Sequence, residues 1–407
     1  MKAIFLLVTA MLCGSLLTSA KDHTAYKVVT IASMKDLSVQ GHPDRAGQYK
    51  YLREPNAVVT KSGTLLVAYG PHHTKGKNDR AHQDILLKRS SDSGQTWSEN
   101  TLIADYGMDS VLPTVLVYDE EKDRVLFVYN IIFNDPERKE SKPCQQFVIH
   151  SDDEGETWSK PHEILPDIGG ICVFGGGNGF QVKYGPNKGR LIISGGVGGK
   201  VKYFYSDDHG QTWQTGTFVN KGRKEGTGSE TADGTLLMYH RGMGFGLIEN
   251  RSSDGGKTWT PPRKVCLDMW GQCNNSALSI QHKGRSLIIL GGPIGPENAD
   301  KLALESEAKK LIRGKEDSKQ SARSNGAIFI SMDGGKSFPV KTLVAPGWTF
   351  GYNALVHLPD GKVGFVFEGA YGGQSWQGVK RDHNTGVSLG IYMVIVDLDQ
   401  ALAQPLK

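Results

Sequence analysis

One eight-residue stretch occurs five times along the chain. "SSDSGQTW" at 90–97 returns as "SDDEGETW" at 151–158, "SDDHGQTW" at 206–213, "SSDGGKTW" at 252–259 and, weakened, "SMDGGKSF" at 331–338. The shared pattern is Ser-x-Asp-x-Gly-x-Thr-Trp, and its physics is that of a hairpin turn. Ser and Asp side chains bond backbone groups of the turn, and Gly takes a positive φ. The closing Trp or Phe fills an apolar gap between neighbouring sheets. Successive copies start 61, 55, 46 and 79 residues apart, the length of a four-stranded antiparallel blade with its loops. The predicted fold is therefore all-β, a six-bladed β-propeller in which one blade lacks a legible copy. Such a scaffold serves enzymes, lectins and interaction modules alike, so the repeat constrains architecture and not chemistry.

The segments between repeats read as strands. In "YLREPNAVVTKSGTLLVAYG" (51–70), Val58, Val59, Leu65, Leu66, Val67 and Tyr69 form two apolar runs split by a Lys61-Ser62-Gly63 turn. The widest gap between repeats contains 296–325, where Leu302, Leu304, Ala308, Leu311 and Ile312 among many charges predict a loop insertion that is part helical. The net charge of +4 is mild for 407 residues, and no basic tract interleaved with aromatics suggests nucleic acid. At the N-terminus, Lys2, the apolar stretch Ala3–Leu17 and the small residues Thr18-Ser19-Ala20 have the form of a signal peptide, residues 1–20. Cys13 raises a lipoprotein anchor, but Leu12 stands where a small residue is expected, which favours plain export to the periplasm or the extracellular space. No later stretch is long and apolar enough to span a bilayer. Residues 21–407 then form one propeller domain with four cysteines, Cys144, Cys172, Cys266 and Cys273. Their spacing is not a zinc pattern, and loop length favours a Cys266–Cys273 disulfide.

The five turns resemble the Asp-boxes, or BNR repeats, of the sialidase (neuraminidase) superfamily, and the resemblance covers nearly everything after the leader. Sialidases open the first blade with Arg-Ile-Pro, and here Arg53-Glu54-Pro55 stands in that place. Within "KGKNDRAHQDILLKRS", Asp79 matches the family's catalytic aspartate. Asp84 is a rival, but it leads directly into "ILLK" and looks like a strand-edge residue. "EGTGSETADGTLLMYHR" resembles the segment with the catalytic glutamate and second arginine, which implies Glu225 and Arg241; Glu230 sits nearer the hairpin and reads as structural. Arg323 of "RSNGAIFIS" matches the third arginine. "FGYNALVHLPDGKVGFVFEG" supplies the tyrosine and the closing glutamate, Tyr352 and Glu368. Glu54 departs from the family's Ile. Turned inward its carboxylate pairs with Arg53 and weakens anion binding; turned outward it is a surface charge.

The resemblance implies a secreted retaining exo-α-sialidase acting on sialylated glycoproteins, glycolipids or oligosaccharides. A sialic acid carries a carboxylate on its anomeric carbon, and three guanidiniums suit that planar anion better than lysines do. A neutral tyrosine avoids the repulsion that a carboxylate nucleophile would meet there, the recognised exception among retaining glycosidases. Glu225 is expected to take the phenol proton, and Asp79 to protonate the leaving oxygen and then activate water. Glu368 orients Arg53. This mechanism requires no metal and no cofactor. Two other readings stay open: the same machinery on another 2-keto-3-deoxy acid such as Kdn or Kdo, and a non-catalytic glycan-binding propeller.

Overall fold

A computed structural model describes residues 26–74, 81–134, 144–169, 178–197, 200–221, 225–295, 323–371 and 390–403. The predicted leader, nearly all of the 296–325 insertion, Asp79 and Cys172 lie outside them. The last residues of that expected insertion are already strand.

The chain opens with β1 (Val28–Ser33) and then winds into four-stranded antiparallel sheets. The first comprises β2 (Tyr51–Val59), β3 (Leu65–His72), β4 (Ile85–Ser90) and β5 (Thr101–Ala104). The second comprises β6 (Ser110–Asp119), β7 (Arg124–Ile132), β8 (Cys144–Ser151) and β9 (His162–Glu163). The third contains β10 (Phe180–Gln181), β11 (Leu191–Val197), β12 (Lys200–Ser206) and β13 (Gln214–Lys221). The fourth contains β14 (Gly226–Glu230), β15 (Leu236–His240), β16 (Phe245–Ser252) and β17 (Arg263–Trp270). The remaining strands are β18 (Ser276–His282), β19 (Arg285–Pro293), β20 (Ser324–Ser331), β21 (Val340–His357), β22 (Val363–Tyr371) and β23 (Gly390–Val396), followed by a short helix, Leu398–Ala403.

Four of the expected six blades are separate four-stranded sheets, whereas these last strands and β1 form one seven-stranded sheet, in the order β1-β23-β22-β21-β20-β19-β18. The reason is β21, which runs for 18 residues without a break. Its first half pairs with β20 from Val340 to Thr349, and its second half with β22 from Trp348 to His357. The sheet curls, so that Ile280, Ile328 and Ile330 of one half pack against Leu355, Phe365 and Val396 of the other.

All five repeats form the turn between the third and fourth strands of their set, at β4–β5, β8–β9, β12–β13, β16–β17 and β20–β21. In each, the glycine N–H donates to the serine Oγ at 2.7–2.8 Å, and the Thr or Ser hydroxyl donates to the aspartate at 2.6 Å. Each turn also lies against the preceding sheet: a Cβ on Gly256 would stand 2.6 Å from the Tyr203 ring carbon that bears the hydroxyl. The first turn lies against the last sheet, since a Cβ on Gly94 would meet Met393 of β23. With β1 paired to β23, the ring closes, and the molecule is an all-β, propeller-like fold. Apolar clusters fill the spaces between successive sheets, such as Leu66, Leu87, Leu116 and Phe127 between the first and second.

The cysteine expectation is also overturned. Cys266 and Cys273 are free and buried, whereas Cys144 is disulfide-bonded to a partner outside the described residues. Cys266 lies within β17 and Cys273 beyond its end, and the two are not bonded to one another.

Candidate active site

The first strand of each set lines the central channel, and polar side chains stitch neighbouring sets together there. Asn56 of β2 donates to the Pro113 carbonyl of β6 at 3.4 Å, and Ser276 of β18 donates to Asn353 Oδ1 of β21 at 2.7 Å. At one end of this channel the strands are bulged. Register shifts fall between Arg53 and Asn56 in β2, between Ser324 and Gly326 in β20, and between Phe350 and Asn353 in β21. Glu54 and Asn325 take left-handed φ values of 60° and 59°. A bulge bends its strand and re-aims the adjacent side chain. Arg53, Arg323 and Tyr352 all stand at or beside such a bulge.

Six of the seven residues singled out in the sequence are described, and they meet at this end. Glu225 and Arg241 lie just beyond the paired ends Gly226 and His240 of β14 and β15, so their sixteen-residue separation becomes a cross-strand contact. The Arg241 N–H donates to the Glu225 carbonyl at 3.0 Å, and its Nη1 contacts both Glu225 carboxylate oxygens at 2.8 and 2.6 Å. Tyr352 Oη donates to Glu225 Oε1 at 2.6 Å. The guanidinium carbons of Arg53 and Arg323 stand 5.1 and 5.7 Å from the centre of the Tyr352 ring. Glu368 lies behind Arg53, accepting from its Nη2 at 3.3 Å and from the Glu54 N–H at 2.7 Å. Gly351 makes room for that carboxylate, because a Cβ there would come within 2.3 Å of Glu368 Oε1.

The electrostatics follow from three cations sharing one spot, Arg53 buried and Arg241 and Arg323 partly buried. Burial opposes the charge on Arg241, but Glu225 and the Tyr352 oxygen outweigh it and hold the guanidinium charged beyond the ordinary arginine value. Arg323 is raised chiefly by the neighbouring Cys273 and also by Tyr352, against the repulsion of Arg53 and Arg241. Arg323 Nη2 donates to the Gln272 carbonyl at 3.0 Å. Arg241 Nε is buried with no hydrogen-bond partner, a donor that an anion in reach would satisfy. Such a concentration of fixed donors in a partly desolvated cleft suits a planar carboxylate.

Other expectations resolve around this cluster. Glu54 is only 6% exposed, which excludes a surface charge. Asp84 is wholly buried directly ahead of β4, where it accepts from Arg45, Tyr49 and His73. Glu230 is buried at the end of β14 and accepts from the Lys183 and Tyr184 N–H groups; burial raises its pKa. Sequence reasoning missed Cys273, buried under the arginines, and His72. The imidazole of His72 stacks on Tyr51 at 4.3 Å and is held neutral by burial and by the Arg53 charge. A lone Cys and a lone His carry no motif by which to find them. A cavity of about 780 Å³ opens at the other end of the channel, lined by Ala57, Gly228, Glu230 and Leu355 among others. Among the described residues it is lined by no arginine and by none of the six residues gathered at the bulged end, so the candidate site is the bulged end.

Residues 55–365 match the family described as BNR repeat-like domain. The chain is 30% identical over 365 residues to a sialidase of Micromonospora viridifaciens, covering 82% of this chain and 52% of that protein. It is 26% identical over 400 residues to an anhydrosialidase of Macrobdella decora, covering 90% of this chain and 45% of that protein. The chain thus spans about half the length of these relatives. In fold it is similar to the intramolecular trans-sialidase of Ruminococcus gnavus, with a TM-score of 0.67 and 18% identity over 88% of this chain and 97% of that one.

Proposed function

The chain belongs to the BNR repeat-like domain family, and on that premise we propose that it is an exported, retaining sialidase-type glycoside hydrolase releasing terminal α-linked sialic acid from glycoconjugates. We read the seven-stranded sheet as two blades joined through β21, which makes six in all. The observation that carries the function is the meeting of Tyr352, Glu225 and three arginines, contributed by β2, β21 and the ends of β14, β15 and β20. Arg53, Arg241 and Arg323 bind the substrate carboxylate, and Glu368 orients Arg53. Glu225 takes the phenol proton as Tyr352 Oη attacks the anomeric carbon, since a phenol of pKa about 10 is a poor nucleophile at neutral pH. The glycosidic bond breaks as Asp79 protonates the departing oxygen. Asp79 then takes a proton from water, whose oxygen displaces the tyrosyl oxygen as Glu225 returns its proton to it, and the original anomeric configuration is restored. Glu54, buried and adjacent to Arg53 in sequence, stands where the family it resembles has Ile, and it bears on substrate detail more than on the reaction class.

Fluorogenic glycosides of N-acetylneuraminic acid, Kdn and Kdo, offered as a panel, test the reading. Turnover of the N-acetylneuraminic acid glycoside above the others is expected, with the released sugar analysed for both the hydrolysed and the anhydro form. Turnover of Kdn or Kdo alone would keep the mechanism and change the sugar. No turnover of any of the three would overturn the enzyme in favour of a glycan-binding propeller.

A further inference from the structure

On the outer strands of the third sheet, two lysines gather on one exposed aromatic ring. Phe218 of β13 is 49% exposed, and Lys200 Nζ and Lys202 Nζ of β12 stand 4.6 and 4.5 Å from the centre of its ring. The sheet dictates this grouping. Val201 and Tyr203 turn into the apolar cluster that holds Leu236 and Met238 of the fourth sheet, so Lys200 and Lys202 stand on the opposite face. Lys202 lies opposite Phe218 in register, and the pairing shifts on both sides of it, a setting in which side chains are re-aimed.

The pair carries its charge without an acid to balance it. Among the described residues neither lysine has a carboxylate partner, and Asp207, which follows β12 at the repeat turn, is taken by Arg190 at 2.7 and 2.8 Å. An aromatic ring attracts two ammoniums but leaves their mutual repulsion in place. Burial and the Lys200 charge together lower the pKa of Lys202. The patch also shares an end of the molecule with the arginine cluster. Ser206 opens the repeat turn at one end of β12, and Lys200 begins the strand at the other. Lys202 pairs with Gly195 of β11, whose neighbour Ser194 donates through Oγ to the carbonyl of Gly226, next to Glu225. Lys202 and Phe218 thus lie one and two strands outward from β11, at about 4.8 Å per strand. The stretch "VNKGRK" that joins Phe218 to Glu225 in sequence adds basic residues and no acid.

We propose that Lys200, Lys202 and Phe218 form a secondary site for a further anionic group on the substrate glycan, a sugar carboxylate or a sulfate ester, an inference that rests on the sialidase reading above. Two ammoniums hold such an anion as point charges, without the planar fork that the arginines offer at the candidate active site. Bound between them, the anion offsets the repulsion that the ring leaves standing. The exposed part of the Phe218 ring and the lysine stems cover the apolar C–H surface of the sugar that carries it. A glycan whose terminal sugar lies at the arginines is then held at a second point on the same end of the molecule. Glycans with several anionic residues are favoured over those with one, and the uncompensated charge also steers them in.

The test compares kcat/KM for oligosialic acid and for a sulfated sialyl oligosaccharide with that for a fluorogenic monosialyl glycoside. In the double variant Lys200→Gln with Lys202→Gln, the ratio of polyanionic to monosialyl kcat/KM should fall about fivefold, through KM, and the wild-type preference should fade as salt is raised. The double variant Lys200→Arg with Lys202→Arg should keep the ratio. So should Lys122→Gln with Lys160→Gln, which removes the same charge from exposed positions elsewhere. Melting curves check that all three fold. A loss on only one of the two polyanionic substrates supports the site and tells carboxylate from sulfate. A second readout needs no turnover: binding of a sulfated oligosaccharide without sialic acid should weaken by the same factor in the double Gln variant. That weakening with no turnover of any glycoside would keep the anion site and remove the sialidase reading. Turnover with an unchanged ratio and unchanged binding would overturn the site and leave that reading standing. An equal loss in the Lys122 and Lys160 variant, or equal lysine-dependent binding of a DNA duplex or of phosphatidylserine vesicles, would overturn the glycan assignment in favour of a general positive surface.

Discussion

The repeat turns and the arginine cluster both hold carboxylates by hydrogen bonds, but they draw their partners from different distances. Asp92 is satisfied by Ser90, Gln95 and Thr96, all within four residues. Glu225 is held by Arg241, 16 residues away, and by Tyr352, 127 residues away; Glu368 meets Arg53 across 315 residues. A turn that closes on its own side chains forms in any sequence carrying the pattern, and its partners add only local order. The cluster exists only when the ring has closed. Its groups are then held where they repel one another and expose a buried donor, an arrangement suited to a ligand and unhelpful to the fold. On the proposed function, the turns answer to stability and the cluster to chemistry.

The sharpest separation comes from Tyr352→Phe. The ring and its contacts with Arg53 and Arg323 survive, while the oxygen proposed to attack the sugar is lost. Turnover should fall by about a thousandfold or more with an unchanged melting temperature, and wild type treated with a 3-fluoro sialosyl fluoride should gain one sugar mass on the peptide containing Tyr352. Near-normal turnover by the Phe variant would remove the chemical half of the comparison.

Asp79→Asn should act next most strongly and selectively. Natural glycosides with poor leaving groups should lose about a hundredfold or more, and activated aryl glycosides much less, because the latter hardly need protonation. Equal losses on both would make Asp79 a structural residue. Asp84→Asn is the control, and as a buried group it should act mainly on stability.

The opposite pattern is expected in the turns. Gly256 has φ 90°, and a Cβ there would meet the Tyr203 ring. Gly256→Ala should cost about 2–3 kcal/mol by denaturant unfolding, with kcat per folded molecule unchanged. A loss of kcat in the folded variant would show that turn and site are coupled.

The smallest effect concerns pH. The Thr96 hydroxyl, with the Thr96 N–H and Ser90, holds the Asp92 carboxyl down at about 2. A carboxyl with a folded pKa below its unfolded value of about 3.9 stabilises the protein fully above that value and ceases to do so as pH falls through the folded one. The melting-temperature gap between wild type and Thr96→Val should be present at neutral pH and shrink between about pH 4 and pH 2. A gap that stays constant over that range would mean that Thr96 acts through packing and not through the carboxylate.

What the sequence determined by itself was whatever could be stated within a few residues. The five turns, the hairpin at 51–70 and the period of the sheets follow from local bonding and alternation, and the all-β, propeller-like architecture follows from their repetition. Family resemblance picked out Arg53, Arg241, Arg323, Tyr352, Glu225 and Glu368, although no local pattern distinguishes them from surface charges. Only the tertiary structure decided the rest. It fused β20, β21 and β22 into one sheet, because an unbroken strand offers both edges to partners that the sequence spaces as separate units. It left Cys266 and Cys273 unbonded, the first inside β17 and the second beyond its end. It buried Glu54 at a bulge and drew Lys200 and Lys202 onto the ring of Phe218. Bulges, shared strands and convergent side chains depend on which distant backbone lies alongside, and that information belongs to the closed ring and to no single segment of it.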